Sequence, residues 1–359
     1  MNTTFEKIFQ KYAKDQGFSG SCMVKAGNEI LFCGAEGLAN RAFKIPNAID
    51  TKFDTASVTK IFTAAAVLQL IEKGLLHFDD YITAVIDLAG TKIPQDVRIE
   101  HLLNHTSGIA DDAEEEAGED YAALFIDSPN YSLRECRDFL PNFAYKEPNF
   151  RAGTDIRYNN CAFILLGMAI EKISGVDYRT YVRQNIFDVC KMTDTEFCAM
   201  DGINENTAEG YVTVYDNTNK QIGFKKNIYS YPPVGTADSG AYTTVGDLDK
   251  FIRAVKSGQI MSKSFADIFL TPHCEFVRPS PWKTVPDAKV RTGYAFAFLE
   301  INEETFCIFK EGQNDGVSAM FSYYPEADMT ISILSNCNCN VWAMHREMQT
   351  EVYNKYRNR

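Results

Sequence analysis

The chain has 359 residues, 45% of them hydrophobic, which is enough for a large core and one or two domains. A net charge of −12, from 36 basic and 48 acidic side chains, argues against a nucleic-acid partner. No apolar run reaches the roughly 18 residues needed to span a membrane, and Met1-Asn-Thr-Thr-Phe-Glu-Lys7 lacks an export signal's basic and apolar regions, so a cytoplasmic location is expected.

Phe5 to Tyr12 has the periodicity of an amphipathic helix ahead of Gly17. Ser21 to Leu31 alternates about Gly27-Asn28, the pattern of a hairpin. Ser57-Val-Thr-Lys60 then opens a run of helix formers, Ile61 to Lys73, that stops at Gly74. Residues i and i+3 share a helix face, so the hydroxyl and the amine come within hydrogen-bond reach. At a first turn, the helix dipole and free N–H groups favour an oxyanion and oppose protonation of a nearby lysine. A serine beside a partly desolvated lysine is an activated nucleophile. The competing reading is a serine that merely caps a core helix. Ser280-Pro-Trp-Lys283 has the same spacing, but its prolines place it in a loop, so context must decide.

Helical patterns and loops dominate from about residue 75 to 245. His101 and His105 lie four apart without the adjacent glutamate of a zinc-protease helix, and read as packing or capping residues. The acidic run Asp111 to Asp120 reads as a solvated loop, because it offers no metal-ligand spacing. Tyr158-Asn-Asn160 falls between a turn at Ala152-Gly153-Thr154 and a buried helix, Cys161 to Ile173, closed by Ser174-Gly175. There it can project into a cleft as a second proton-handling group. Tyr215-Asp-Asn217 repeats the spacing in a polar turn.

Asp247 to Val255 is a helix, so Lys256-Ser-Gly258 reads as its C-terminal cap and dipole partner. Beyond Gly293, β-rich runs at Tyr294–Leu299, Thr305–Phe309, Val317–Tyr324 and Met329–Leu334 alternate with turns, as in an antiparallel meander. Lys310-Glu311-Gly312 follows the strand Phe306–Phe309, and its glycine permits close approach of a substrate. Lys310 is therefore preferred over Lys256 as the cation of a site. Cys337-Asn-Cys339 lacks a second pair at zinc-finger spacing, and the ten cysteines read as free thiols. Asn340 to Tyr356 is a closing helix. The layout is α/β (α+β): an antiparallel sheet domain from residues 1–75 and 245–359, and an inserted mainly helical domain, 76–244, across a cleft.

Taken in order, these segments resemble the serine β-lactamase and penicillin-binding-protein superfamily, in the branch of class C β-lactamases, D-alanyl-D-alanine carboxypeptidases and esterases. Phe53-Asp-Thr-Ala-Ser57-Val-Thr-Lys60 is similar to the nucleophile segment. His101-Leu-Leu-Asn-His105-Thr-Ser-Gly108 and Asp238-Ser-Gly240 through Asp247-Leu resemble structural signatures of the branch. Phe150-Arg-Ala-Gly153 through Tyr158-Asn-Asn160 and Leu165 to Gly175 match its tyrosine motif and following helix. Lys310-Glu-Gly312-Gln-Asn-Asp-Gly316 falls where the family has Lys or His, then Thr, Ser or Glu, then Gly.

The resemblance implies an acyl-enzyme on Ser57, with Lys60 and Tyr158 sharing the acid–base work. It further implies that Asn160 orients Lys60 and the substrate amide, and that Lys310 supplies positive potential. The backbone N–H groups of Ser57 and Gln313 would form the oxyanion hole. A small-molecule or peptide-like substrate is implied, with no metal, no organic cofactor and no nucleic-acid or membrane partner. Glu311 stands where related enzymes carry a hydroxyl that receives a substrate carboxylate. An ionised Glu311 beside that pocket disfavours such substrates and favours esters, amides or amino-bearing compounds; the competing reading is a Glu311 that points away and pairs with a surface cation. The alternatives are a β-lactamase or carboxypeptidase and, in a different class, a non-catalytic sensor or scaffold on the same fold.

Overall fold

The computed structural model describes residues 2–114, 117–274, 276–279, 285 and 288–357. The loop reading for Ser280–Lys283 and the Glu115-Glu116 part of the acidic run lie outside the described residues. An eight-stranded antiparallel sheet dominates. In spatial order its strands are Glu29–Glu36, Gly20–Ala26, Met329–Ser335, Val317–Tyr324, Glu304–Asn314, Ala297–Ile301, Lys289–Thr292 and Val277–Pro279. The N-terminal hairpin pairs with the last strand, Gly20 opposite Ser335, so both ends of the chain build one sheet.

Val317–Tyr324 and Met329–Ser335 are buried along their whole length, because helices cover both faces. Side-chain alternation sorts their residues between two cores. Met320, Tyr324, Ile331 and Ile333 face the terminal helices Asn2–Asp15 and Val341–Arg357, through Phe5, Phe9, Met344 and Met348. Ala319, Phe321, Tyr323 and Leu334 face a larger core around the helix Lys60–Glu72. That helix is apolar on all sides and buried from Lys60 to Leu70, as a central element must be. Phe62 anchors it edge-on between Phe187 and Phe251, each ring centre 5.0 Å away.

The strand Glu304–Asn314 runs unbroken through Lys310-Glu-Gly312. The motif thus lies within the strand and does not follow it. The sheet's other neighbour, Ala297–Ile301, pairs only up to Phe309, so the edge beyond Phe309 is open. Within the mainly helical stretch, the chain also makes a hairpin, Tyr211–Tyr215 with Gln221–Lys226. Lys256 is a basic residue in the last turn of the helix Val245–Lys256 and pairs with Asp328 at 2.5 Å, and Gly258 beyond it takes φ +74°, the conformation of a helix end. All ten cysteines are free. No helix among the described residues is long and apolar enough to cross a membrane.

His345 is buried on the sheet-facing side of the C-terminal helix, its Nε2 3.1 Å from Tyr324 Oη and 2.8 Å from Ser322 Oγ. Burial, helped by Arg346, pushes it down to about 3. The unfolded imidazole titrates near pH 6.5, so stability present above that pH is lost, at about 1 kcal/mol per pH unit, as pH falls towards 3. In urea titrations, His345→Gln is predicted to lose less stability between pH 7 and pH 5 than the wild type. An equal loss would contradict the assignment.

Candidate active site

A single turn, Ala56–Thr59, leads into the Lys60–Glu72 helix and carries Ser57. Ala56 has φ +44°, a left-handed conformation that an alanine adopts only when its surroundings impose it. The constraint is visible: the Ala56 N–H donates to Asp54 Oδ1 at 2.7 Å. Thr55 and Thr59 lash the same turn to the 237–241 loop through Ala241. Thr63 adds a bond to the Ala237 carbonyl.

Ser57 Oγ is met from two sides. Tyr158 Oη lies 2.7 Å away and Lys60 Nζ 3.0 Å away. Lys60 also donates to Asn160 Oδ1 at 2.8 Å and to the Asp238 carbonyl at 2.7 Å. Three acceptors match the three protons of an ammonium. Burial pulls Lys60 down, but the neighbouring acidic groups, Tyr158, Asp238 and Asp111, outweigh it and hold Lys60 above its ordinary value. This corrects the expectation of a lysine biased against protonation: the dipole of the first turn is outweighed by nearer groups. Lys310 carries the depressed amine instead, lowered by burial and by the neighbouring Lys60 charge. Its Nζ stands 4.7 Å from the centre of the Tyr158 ring, with Lys60 Nζ at 5.1 Å.

Other residues hold Tyr158 and Asn160 in place. His105 packs at a tilt against the Tyr158 ring, centres 4.6 Å apart, and its Nδ1 accepts the Asn159 N–H. His101 Nδ1 accepts the Arg98 N–H at the start of the helix Ile99–Leu103. Both histidines thus pack or cap, as their spacing indicates. Asp111 Oδ2 accepts the Asn160 N–H at 2.8 Å and Oδ1 the Cys161 N–H at 2.9 Å, capping the helix Cys161–Ser174. Burial raises Asp111 to about 6. The solvated-loop reading therefore fails for the start of the acidic run: Asp111 and Asp112 are both buried. Nothing local signals this, because the capped helix lies some 50 residues further on. Asp111, Asp112 and Cys161 cluster closely, but the Asp111 oxygens are already committed to the helix N–H groups.

Gly312 closes the site from the sheet side. A Cβ there would lie 2.2 Å from the Thr55 carbonyl and 3.0 Å from the Ser57 nitrogen, so only glycine lets the strand meet the first turn. The hairpin after it has a two-residue loop, Asp315-Gly316, with Gly316 at φ +71°. Asn314 and Val317 therefore form the closing hydrogen-bonded pair, and Gln313, opposite Ser318, belongs to a non-bonded pair. The Gln313 N–H consequently faces the open edge, the side on which Ser57 sits.

Glu311 alternates to the other face of the strand from Lys310 and Gly312. It is exposed, and its carboxylate accepts the Trp342 Nε1–H at 2.5 Å. It nevertheless lines the same cleft as Ser57, Tyr158 and Lys310. On the other side of Ser57 the cleft continues between Tyr121, Tyr231, Asp238 and Gln313. The motifs thus bring together Ser57, Lys60, Tyr158, Asn160, Lys310, Gly312 and Gln313. Asp54, Asp111, Tyr231 and Trp342 join the site without having been singled out for it in the sequence.

The sequence matches the beta-lactamase family over residues 5–347. The chain belongs to that family. Among solved structures, a penicillin-binding protein from Bacillus halodurans is similar at 32% identity and TM-score 0.86, covering 96% of this chain and 98% of its own. Penicillin-binding protein 4* of Bacillus subtilis is 27% identical over 352 residues, which are 94% of this chain and 71% of the relative. Esterase EstB of Burkholderia gladioli is 34% identical over 178 residues, 47% of this chain and 45% of the esterase.

Proposed function

We propose that this chain is a serine hydrolase that cleaves esters or amides through an acyl-enzyme on Ser57. The observation that carries the reading is the double contact of Ser57 Oγ, with Tyr158 Oη at 2.7 Å and Lys60 Nζ at 3.0 Å. Tyr158 and Lys60 work as one coupled base. The reactive form of the pair has released one proton to solvent, leaving a single accepting site shared by Tyr158 Oη and Lys60 Nζ; as Ser57 Oγ bonds to the carbonyl carbon, its proton fills that site. The pair then returns a proton to the departing alcohol or amine. Lys310, beside the Tyr158 ring, offsets negative charge gathering on the tyrosine oxygen. The carbonyl oxygen, now an oxyanion, lies between the N–H groups of Ser57 and Gln313. Asn160 keeps Lys60 aimed at Ser57 and offers its amide to the substrate. We assign the 76–244 segment to the wall of the cleft facing the sheet domain.

Similarity to an esterase and to penicillin-binding proteins supports this chemistry. The second reading is a β-lactamase or D-alanyl-D-alanine carboxypeptidase, favoured by Lys310, a buried cation on the cleft that suits a substrate carboxylate. Glu311 opposes it. A carboxylate 4 Å from another is repelled by about 1 kcal/mol in water and more when desolvated. The Trp342 bond keeps Glu311 at the rim of the cleft.

Incubation with a short p-nitrophenyl ester is predicted to release p-nitrophenolate and to add the acyl mass to the intact protein. Ser57→Ala should abolish both. A stable penicillin adduct on Ser57 without ester turnover would favour the second reading, and reaction with neither would favour a scaffold. Separately, Glu311→Thr is predicted to raise kcat/KM for a carboxylate-bearing ester, relative to a neutral one, by roughly five- to tenfold. An unchanged ratio would remove Glu311 from substrate choice.

A further inference from the structure

A buried hydrogen-bond chain runs from the Ser57 turn to the strand turn beside Gln313. It begins at Asp54, whose Oδ1 accepts the Ala56 N–H and whose Oδ2 accepts the Tyr231 O–H, each at 2.7 Å. Tyr231 Oη in turn accepts from Asn227 Nδ2 at 3.0 Å. The second hydrogen of that amide goes to the Asp315 carbonyl at 2.8 Å. Every donor in the chain has one acceptor, so the hydrogen-bond directions are determined throughout.

The space around Asn227 is equally specific. A Cβ on Gly210 would come within 2.1 Å of Asn227 Nδ2, and one on Gly316 within 3.1 Å. Two glycines therefore leave a slot that the asparagine amide fills. Asn338 holds the same turn from the far side, accepting the Gly316 N–H at 2.7 Å. Asp54, Asn227 and Tyr231 are all buried, although the Tyr231 ring also forms part of the cleft wall.

We propose that Asp54, Tyr231 and Asn227 are positioning residues that set the spacing of the oxyanion hole. One end of the chain holds the turn that aims the Ser57 N–H. The other end holds the Asp315-Gly316 turn, two residues beyond the Gln313 N–H. Gly312 brings the two elements into contact, and the chain prevents them from sliding past each other. The buried Asp54 carboxylate strengthens both bonds it accepts, since a charged acceptor binds N–H and O–H more tightly. This inference rests on the acyl-enzyme reading of Ser57.

The test compares Tyr231→Phe, Asn227→Ala and the double variant, using p-nitrophenyl ester kinetics and affinity for phenylboronic acid. The boronate forms a tetrahedral adduct on the serine, with an oxygen in the oxyanion position. Tyr231→Phe keeps the ring that lines the cleft and removes a single oxygen. Each single variant is expected to lower kcat and boronate affinity together, on the order of tenfold to a hundredfold, with KM within about twofold. Because the chain acts as a unit, the double variant should lose no more than the worse single variant.

Folded Tyr231→Phe with unchanged kcat and boronate affinity would overturn the proposal, and so would a loss confined to KM or losses that multiply in the double variant. If Asn227→Ala does not fold, Tyr231→Phe decides the question alone. Wild-type protein that neither turns over the ester nor binds the boronate would overturn the acyl-enzyme reading, and this inference with it.

Discussion

The site depends on the contact between Gly312 and the first turn of the Ser57 helix. A strand and a helix start normally stay apart by the thickness of their side chains. Here a missing Cβ lets the strand backbone reach the Thr55 carbonyl and the Ser57 nitrogen. Everything else in the site is arranged around that closeness. Ala56 takes a left-handed conformation to enter the turn, and Asp54 holds it there. The strand edge beyond Phe309 is open, and the register leaves the Gln313 N–H facing it.

The proton-handling groups approach from the opposite side. Tyr158 and Asn160 come from the loop before the helix Cys161–Ser174, and the Asp238 carbonyl comes from the loop that Thr55, Thr59 and Thr63 bind. Lys60 therefore lies where three separate segments converge. Its three hydrogen bonds and the surrounding negative charges offset the cost of burying an amine. For Lys310, burial outweighs the Tyr158 and Glu311 groups beside it and sets the direction.

Much of this was legible in the sequence, for identifiable reasons. Period-two alternation and turn residues located the meander, and helix formers before Gly74 and Gly175 located the two central helices. Ser57, Lys60, Tyr158 and Lys310 were legible because the motifs around them stand in the family's order; the spacings alone recur at Ser280–Lys283 and Tyr215–Asn217. Legibility ended where partners are distant in the chain. Asp111 reads as one acid among many, and only folding carries it beneath a helix that starts 50 residues later. Tyr231 and Asn227 have no motif, since their role lies in a slot made by Gly210 and Gly316. The raised proton affinity of Lys60 escapes the sequence for the same reason. The dipole of its own helix can be read locally, whereas the Asp238 carbonyl and the Tyr158 oxygen cannot.

The most direct test of the account is a crystal structure of the protein after reaction with a p-nitrophenyl alkylphosphonate, which leaves a tetrahedral phosphonyl group on the nucleophile. The account predicts phosphorus bonded to Ser57 Oγ and one phosphoryl oxygen roughly 2.7–3.1 Å from the backbone nitrogens of both Ser57 and Gln313. An adduct on another residue, or a phosphoryl oxygen turned away from Gln313, would contradict it.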